Sequence, residues 1–332
     1  MDFKELYIKN NKLIKEKEWH RQISKLKTKK IHKGFLGPCE MLWHFYGDQE
    51  CSKAFPTCSE TSKLSDIKGK SNKEQLKNTI IDSIKKRIPA KKFGIAFSGG
   101  VDSSLIALIC KSLKAKFTCY CVGLENSEDV SYAKKTAKKL KLNLKIIQPS
   151  LKEAEKIIRN TAKSLCKIKN KNLVVNAGVG SVVYAIIKQG KKDKIALMFS
   201  GLGSEEIFAG YQRHKEAEDI NKECWKGLKA MWQRDLLRDS IISNKFKIKL
   251  ATPYLDKEVI KTAMQIPAKK KITKTQNKII LREIAAELGL PKEIAFRKKR
   301  AAQYGSRFDK AIAKLTKKSG FKFKKDYLKS LI

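Results

Sequence analysis

The stretch FSGGVDSSLIALIC, residues 97–110, decides the fold. An apolar run, FGIAF at 93–97, leads straight into Ser98-Gly99-Gly100, and an apolar helical pattern begins at once with Val101. Glycines let a backbone turn tightly and approach a ligand closely. The first-turn N–H groups of the helix that follows have no intrahelical acceptor and form a ready anion site. Ser98, Ser103 and Ser104 add hydroxyl donors, and Asp102 adds a carboxylate. A carboxylate beside phosphates makes sense where Mg²⁺ bridges them. A plain glycine turn with Asp102 as a cap would need none of this order. A Walker loop is excluded, because no Lys-Ser/Thr follows the last glycine.

The same alternation continues outward. A helix is expected over 73–87, with Ile80, Ile81 and Ile84 on one face and Pro89 ending it. Strands are expected at 93–97, 117–123, 142–147 and 194–201. Helices lie between them at 101–114, 129–141 (Asp129 as N-cap), 151–165 and 173–190. After Ile207 the pattern is helical to the end. Strands alternating with helices predict an α/β fold, a parallel twisted sheet with helices on both faces, followed by a helical C-terminal part. A second loop, FSGLGSEEIFAGY at 199–211, again joins a strand to glycines and a helix. Its adjacent Glu205 and Glu206 either complement the helix dipole or serve as metal ligands facing the first loop. Both loops fall at C-terminal strand ends, where open α/β sheets bind ligands.

Residues 98–103 resemble the SGGxDS loop of the N-type ATP pyrophosphatases, and the wider chain resembles the synthetase domain of the asparagine synthetase family. The family writes its second loop SGEGSDE followed by F-G-G-Y; here it reads Ser200-Gly201-Leu202-Gly203-Ser204-Glu205-Glu206 and Phe208-Ala209-Gly210-Tyr211. Further matches follow in order. Arg234-Asp235 and Arg238-Asp239 match an Arg/Asp segment, Thr252-Pro253-Tyr254-Leu255-Asp256 matches R-x-P-F-L-D, and Lys278 to Arg282 matches K-x-x-L-R. Pro291 to Ile294 and Arg297 to Arg300 match a proline turn and a basic segment. The segment from Lys298 to Arg307 is closest to the divergent asparagine synthetase domain-containing group. The resemblance implies an adenine nucleotide alpha hydrolase-like sheet and a reaction that splits ATP into AMP and pyrophosphate. It implies that Ser98, Gly99, Gly100, Asp102 and Ser103 hold pyrophosphate and that Gly201 lies by the nucleotide. Asp102 and Glu205 would bind Mg²⁺, with Glu205 one methylene longer than the family Asp. Lys278 would be the catalytic cation that neutralises charge growing on the α-phosphate. Two departures stand out. Leu202 replaces a family Glu implicated in proton handling as ammonia attacks. Asp2 follows Met1, and 72 residues precede the synthetase-like region, so an in-chain glutaminase is not expected. Free ammonia, a separate amidotransferase subunit or another nucleophile would then have to substitute.

The chain divides by this reading into 1–72, a basic arm plus a Cys/aromatic-rich segment, and 73–332, the ATP pyrophosphatase domain. Residues 1–33, with a weak amphipathic pattern around Leu6 to Ile14, read as a charged helix or an arm, and 61–72 reads as a linker. Cys39, His44, Cys51 and Cys58 could bind Zn²⁺. Their spacing lacks C-x2-C pairs, so thiols buried beside Trp43, Phe45, Tyr46 and Phe55 are the expected reading. Cys110, Cys119 and Cys121 read as core.

Composition bounds the partners. The 332 residues are 42% hydrophobic and 32% charged, enough to bury a core and too apolar for a disordered tail. Lys plus Arg is 74 against 33 acids, a net charge of +41 that admits any polyanion. Only 10 of the 74 are Arg, so much of the surplus reads as Lys-biased composition. No apolar run of the length of a membrane span and no signal-peptide core is evident, so a cytoplasmic protein with reduced thiols is expected. Three functions follow. The first is an ATP-dependent amide ligase that adenylates a carboxylate, that of the aspartate side chain, for attack by ammonia. The second is an enzyme adenylating a base in tRNA, favoured by the charge, the basic arm and Leu202. The third is a nucleotide-binding scaffold without turnover.

Overall fold

The computed structural model describes residues 4–27, 61–166, 168 and 172–332. Its centre is a five-stranded, all-parallel sheet made of β3 (Phe93–Ala96), β4 (Phe117–Val122), β5 (Leu144–Ile147), β6 (Leu197–Phe199) and β7 (Lys249–Ala251). The spatial order is β5-β4-β3-β6-β7. Ile95 pairs with Cys119 on one side and Phe199 on the other, so β3 is central. The order reverses there: the chain runs outward from β3 through β4 to β5, then returns to place β6 on the opposite side. The crevice beyond the C-terminal ends of β3 and β6 is therefore the topological switch point.

Alternation within the strands builds two cores, one on each face. Cys119, Cys121, Leu197 and Phe199 join one, with Phe93, Ile95 and Leu105. Tyr120, Val122 and Met198 join the other, with Ile158, Ile187 and Ile312. The first face is covered by α2 (Thr61–Lys85) and α3 (Val101–Ser112) and the second by α5 (Leu151–Leu165) and α6 (Leu173–Lys192). By length and composition α6 could span a membrane, a property the sequence reading passed over, but more than half of it is buried within the fold. Helix α4 (Glu128–Lys139) follows β4 and is capped by Ser127, whose hydroxyl accepts from Val130 N; Asp129, the expected cap, lies in its first turn.

Three other expectations are corrected. The N-terminal pattern is not one helix: Ile8–Lys9 (β1) and Lys12–Leu13 (β2) form a small antiparallel hairpin before α1 (Glu16–Lys27). Tyr7, Ile14, Trp19 and Ile23 are buried in the same core as β3, so this part of the expected arm packs on the sheet domain. Glu5 and Asp256 flank buried Arg87, and the Trp19 indole donates to Leu228 O at 2.8 Å. The segment 61–72 belongs to α2 and is not a linker. The all-helical reading beyond Ile207 missed β7, three residues at the sheet edge, too short to show a two-residue period. Cys39, His44, Cys51, Cys58, Lys29 and Lys30 lie outside the described residues.

Candidate active site

The loop after β3 is built as its sequence suggests. Gly99 adopts φ +66°, and a Cβ there would come within 2.8 Å of the Tyr132 backbone, so both the turn and the close approach require glycine. Gly100 opens α3 without any side-chain cap, leaving the first-turn N–H groups available to an anion. The Ser103 hydroxyl folds back to donate to Gly100 O and accepts from Ser98 N, each at 3.3 Å, which stiffens the loop.

The loop after β6 closes against it. Gly203 at φ +96° precedes α7 (Ser204–Ile207), and the backbone then turns through Ala209 at φ +56°, a left-handed residue where the family has glycine. Gly210 admits no side chain, because Glu205 and Lys278 occupy the space its Cβ would take. Lys278 enters from the N-terminus of α8 (Ile279–Glu287), itself at φ +54°, an uncommon conformation that turns the residue out of the helix. Its Nζ donates to Asp102 Oδ1 and Oδ2 at 2.9 Å each and to Ser204 Oγ at 3.2 Å, and pairs with Glu205 Oε1 at 2.7 Å. The structure thus joins Asp102, Glu205 and Lys278, which stand far apart in sequence. Burial works against the Lys278 charge, yet Asp102 and Glu205 hold its pKa above the ordinary value. Burial likewise opposes the Asp102 carboxylate, but Lys278, Lys299 and the Ser204 hydroxyl hold it below the usual range.

The two loops line a cavity of about 520 Å³ at the switch point, whose walls include Ser98, Asp102, Ser103, Gly201, Leu202 and Glu205; Lys278 is buried against Asp102 and Glu205 and is not itself part of the wall. Supporting residues sit behind it. Tyr254 OH donates to Asp102 O at 2.9 Å. Arg282 donates to Asn277 O, Ala295 O and Arg297 O, tying the start of α8 to the later basic segment, and Asn277 Nδ2 donates to Gly210 O at 2.7 Å.

Glu205 and Glu206 separate, as consecutive helical residues must. Glu206 turns away from Asp102 and Lys278, where the sequence reading allowed it as a second metal ligand. It accepts from Arg234 and, at 2.9 Å, from Tyr211 OH. Burial and the neighbouring Asp235 push its carboxyl up to about 7 against the opposing Arg234. Arg234 and Asp235 are placed by a π-helical turn, Trp232–Leu236, that interrupts two α-helices. His214 Nδ1 accepts from Tyr211 N at 3.0 Å; burial beside Arg213 pushes its pKa down to about 4, so the ring is neutral.

Two cavity features were not foreseen from sequence. One is the joining of Glu206, Tyr211 and Arg234, each of which lies in a separately noted motif, into one cluster. The other is Lys299, which lines the cavity with its Cδ 2.9 Å from where a Gly100 Cβ would stand, and which has no carboxylate hydrogen bond among the described residues. Inside a run of four basic residues no sequence signal separates Lys299 from its neighbours; the turn that aims it does.

No group of three or more His, Cys, Asp or Glu gathers for a metal among the described residues. The Asp102–Glu205 pair still suits Mg²⁺, which takes one or two carboxylates and completes its shell with phosphates and water. Both carboxylates already converge on one cationic centre, Lys278 Nζ. Cys110, Cys119 and Cys121 are buried free thiols with raised pKa values, consistent with core roles.

Comparison with known proteins gives the family of the chain. The Asparagine synthase family profile matches residues 75–221 and 212–320. A protein of Methanocaldococcus jannaschii, provisionally named asparagine synthetase [glutamine-hydrolyzing] 1, is 34% identical over 292 residues, covering 76% of this chain and 53% of that protein. The asparagine synthetase of Gallus gallus is 27% identical, covering 86% of this chain and 51% of its own. The chain therefore spans about half the length of these curated relatives. Among solved structures, NMN synthetase from Francisella tularensis overlays with a TM-score of 0.38 at 14% identity, covering 77% of this chain and 87% of that one. The chain belongs to the asparagine synthase family.

Proposed function

We propose that this chain is an ATP-dependent amide ligase that adenylates the side-chain carboxylate of aspartate and passes the acyl group to ammonia. The observation that carries this reading is the meeting of two glycine-bounded loops in one cavity, where Asp102 and Glu205 stand in the wall and both hold buried Lys278. The free N–H groups of α3, with Ser98 and Ser103, bind the pyrophosphate end of ATP. A carboxylate oxygen attacks the α-phosphorus, the bond to the β-phosphate oxygen breaks, and pyrophosphate leaves with the electron pair. Lys278 neutralises charge growing on the α-phosphate, and its rigid placement between two carboxylates means little reorganisation is needed. Lys299, over the phosphate loop, supplies a second cation. Asp102 and Glu205 would hold Mg²⁺, which when bound neutralises phosphate charge. Gly201 lies beside the nucleotide, and a Cβ there would approach Asp102 Cβ to 3.0 Å. Ammonia, free or from a separate amidotransferase subunit, then attacks the acyl carbon; AMP leaves and a proton is lost from nitrogen.

The test is release of AMP and pyrophosphate from Mg-ATP with aspartate, other carboxylic amino acids or bulk tRNA, each with and without ammonium. Aspartate-dependent AMP formation with asparagine as product is expected. Turnover that ignores every carboxylate would overturn the proposal.

A further inference from the structure

We infer that the segment 297–307, at the mouth of the cavity, is a binding surface for single-stranded RNA. The inference goes beyond the amide-ligase reading and does not depend on it.

The segment reads RKKRAAQYGSR, with five basic residues and no acid. Three of the chain's ten arginines fall within these eleven residues. A general bias toward Lys explains the surplus elsewhere on the surface, but it predicts Lys here, not Arg. Arginine binds phosphates through a planar fork and stacks on aromatic faces. The segment also carries Tyr304, 51% exposed although large and aromatic. A second aromatic, Tyr132, is 39% exposed nearby, with one face covered by the Arg297 guanidinium 3.5 Å from its ring centroid; the Arg297 side chain is itself buried and pairs with Asp129, so Lys298, Lys299 and Arg300 are the exposed basic groups left for phosphates. Basic groups interleaved with exposed aromatic rings make a platform for unpaired bases and their phosphates.

The segment is held in place and not left as a loose tail. Ser127 Oγ donates to Gly305 O at 2.8 Å, Leu124 N donates to Ser306 O at 3.0 Å, and Arg307 Nη1 donates to Asn126 O at 3.4 Å. Arg300 pairs with Glu128 at 3.1 Å, but both side chains are about half exposed or more, so the pair contributes little and yields readily to a phosphate. Residues 299–303 line the cavity itself, so a strand lying along the segment has its end at the reaction site. Gln303 Oε1 is buried there without a hydrogen-bond partner, an acceptor that a ribose 2′-hydroxyl or a base amino group would satisfy.

The experiment is fluorescence anisotropy of a labelled 12-nucleotide single-stranded RNA with the full chain, without ATP or carboxylate, from 50 to 200 mM KCl. Binding at 150 mM KCl is expected. The triple variant Lys298→Glu, Arg300→Glu, Tyr304→Ala should weaken it at least tenfold and flatten the log–log salt slope by about 1.4, the value for two phosphate contacts on a single strand. Lys12→Glu with Lys17→Glu, the same charge change on the N-terminal hairpin and α1, should cost less than threefold. If the triple variant does not fold, the single truncations Arg300→Ala and Tyr304→Ala should each cost about threefold or more. Equal losses in the segment and control variants would show only diffuse attraction to a basic protein and overturn the inference. So would absence of binding at 150 mM, equal affinity for the matching DNA strand, or tighter binding to phosphatidylserine vesicles or poly-glutamate.

Discussion

Replacing Lys278 with methionine tests the central arrangement, because it removes one ammonium and nearly preserves side-chain length. Lys278 is 3% exposed and its Nζ is shared by Asp102, Glu205 and Ser204. Removing one partner of a buried ion pair costs about 3–5 kcal/mol, because the remaining charge stays buried and uncompensated. The Glu205 side chain is 38% exposed, so its share resembles a surface pair worth about 0–1 kcal/mol. Most of the loss therefore comes from Asp102, and a total near 3 kcal/mol is expected. Urea unfolding followed by tryptophan fluorescence at pH 7 reads it directly. The vacated pair of carboxylates should also bind Mg²⁺ more tightly than in the parent. At tenfold excess over its dissociation constant Mg²⁺ returns about 1.4 kcal/mol. Carboxylate-dependent ATP–pyrophosphate exchange should fall at least a hundredfold, in the range seen on losing one preorganised charge. A stability loss under 1 kcal/mol, or equal stabilisation of parent and variant by Mg²⁺, would refute the view of Lys278 as the cation that compensates this carboxylate pair.

Other perturbations follow from the same geometry. Gly99→Ala places a methyl group against the Tyr132 backbone at a left-handed φ, so it should cost about 2 kcal/mol or more by thermal melting and abolish exchange. Lys271 is fully buried, donates to Asn221 Oδ1 at 2.8 Å, and is pushed by burial from an ordinary 10.5 down to about 8. The unfolded chain therefore binds the extra proton between pH 8 and 10.5, and parental stability gains about 3 kcal/mol from this group as pH rises through that window. Lys271→Met should remove that gain, so the stability difference, variant minus parent, must fall by about 3 kcal/mol between pH 7 and 10.5; a constant difference in urea titrations would contradict it. Leu202→Glu restores a proton acceptor on the cavity wall. It should raise ammonia-dependent amide formation at least tenfold while leaving exchange within threefold, since general bases typically contribute 10²–10⁴; a fall in both activities would argue against a base at this position.

How much of this was legible in the sequence differs from element to element. Strands β3 to β6 were readable because each lies in an apolar run that alternates with a helical pattern, even where, as in β6, the strand itself is three residues long. Edge strand β7 was not, since its three residues are paired by β6 and not by any pattern of their own. The loop after β3 was readable because its chemistry is contiguous: glycines, hydroxyls, a carboxylate and a helix start within a few residues. The N-terminal segment misled, because Tyr7, Ile14, Trp19 and Ile23 are spaced for a hairpin followed by a helix.

By itself, then, the sequence determined the alternating α/β order, the two glycine loops at strand ends and the family to which they point, since these depend on local periodicity and backbone freedom. Only the tertiary structure decided which side chains act together. Lys278 lies 176 residues from Asp102, yet holds it by two hydrogen bonds. Glu205 and Glu206 are adjacent, yet one faces that lysine and the other faces Arg234. Lys299 is one of four consecutive basic residues, yet it is the one beside Gly100. Such assignments depend on the direction in which each side chain leaves its backbone and on which charges burial forces together. Those quantities are set by the packing of distant segments and are carried by no local stretch of residues.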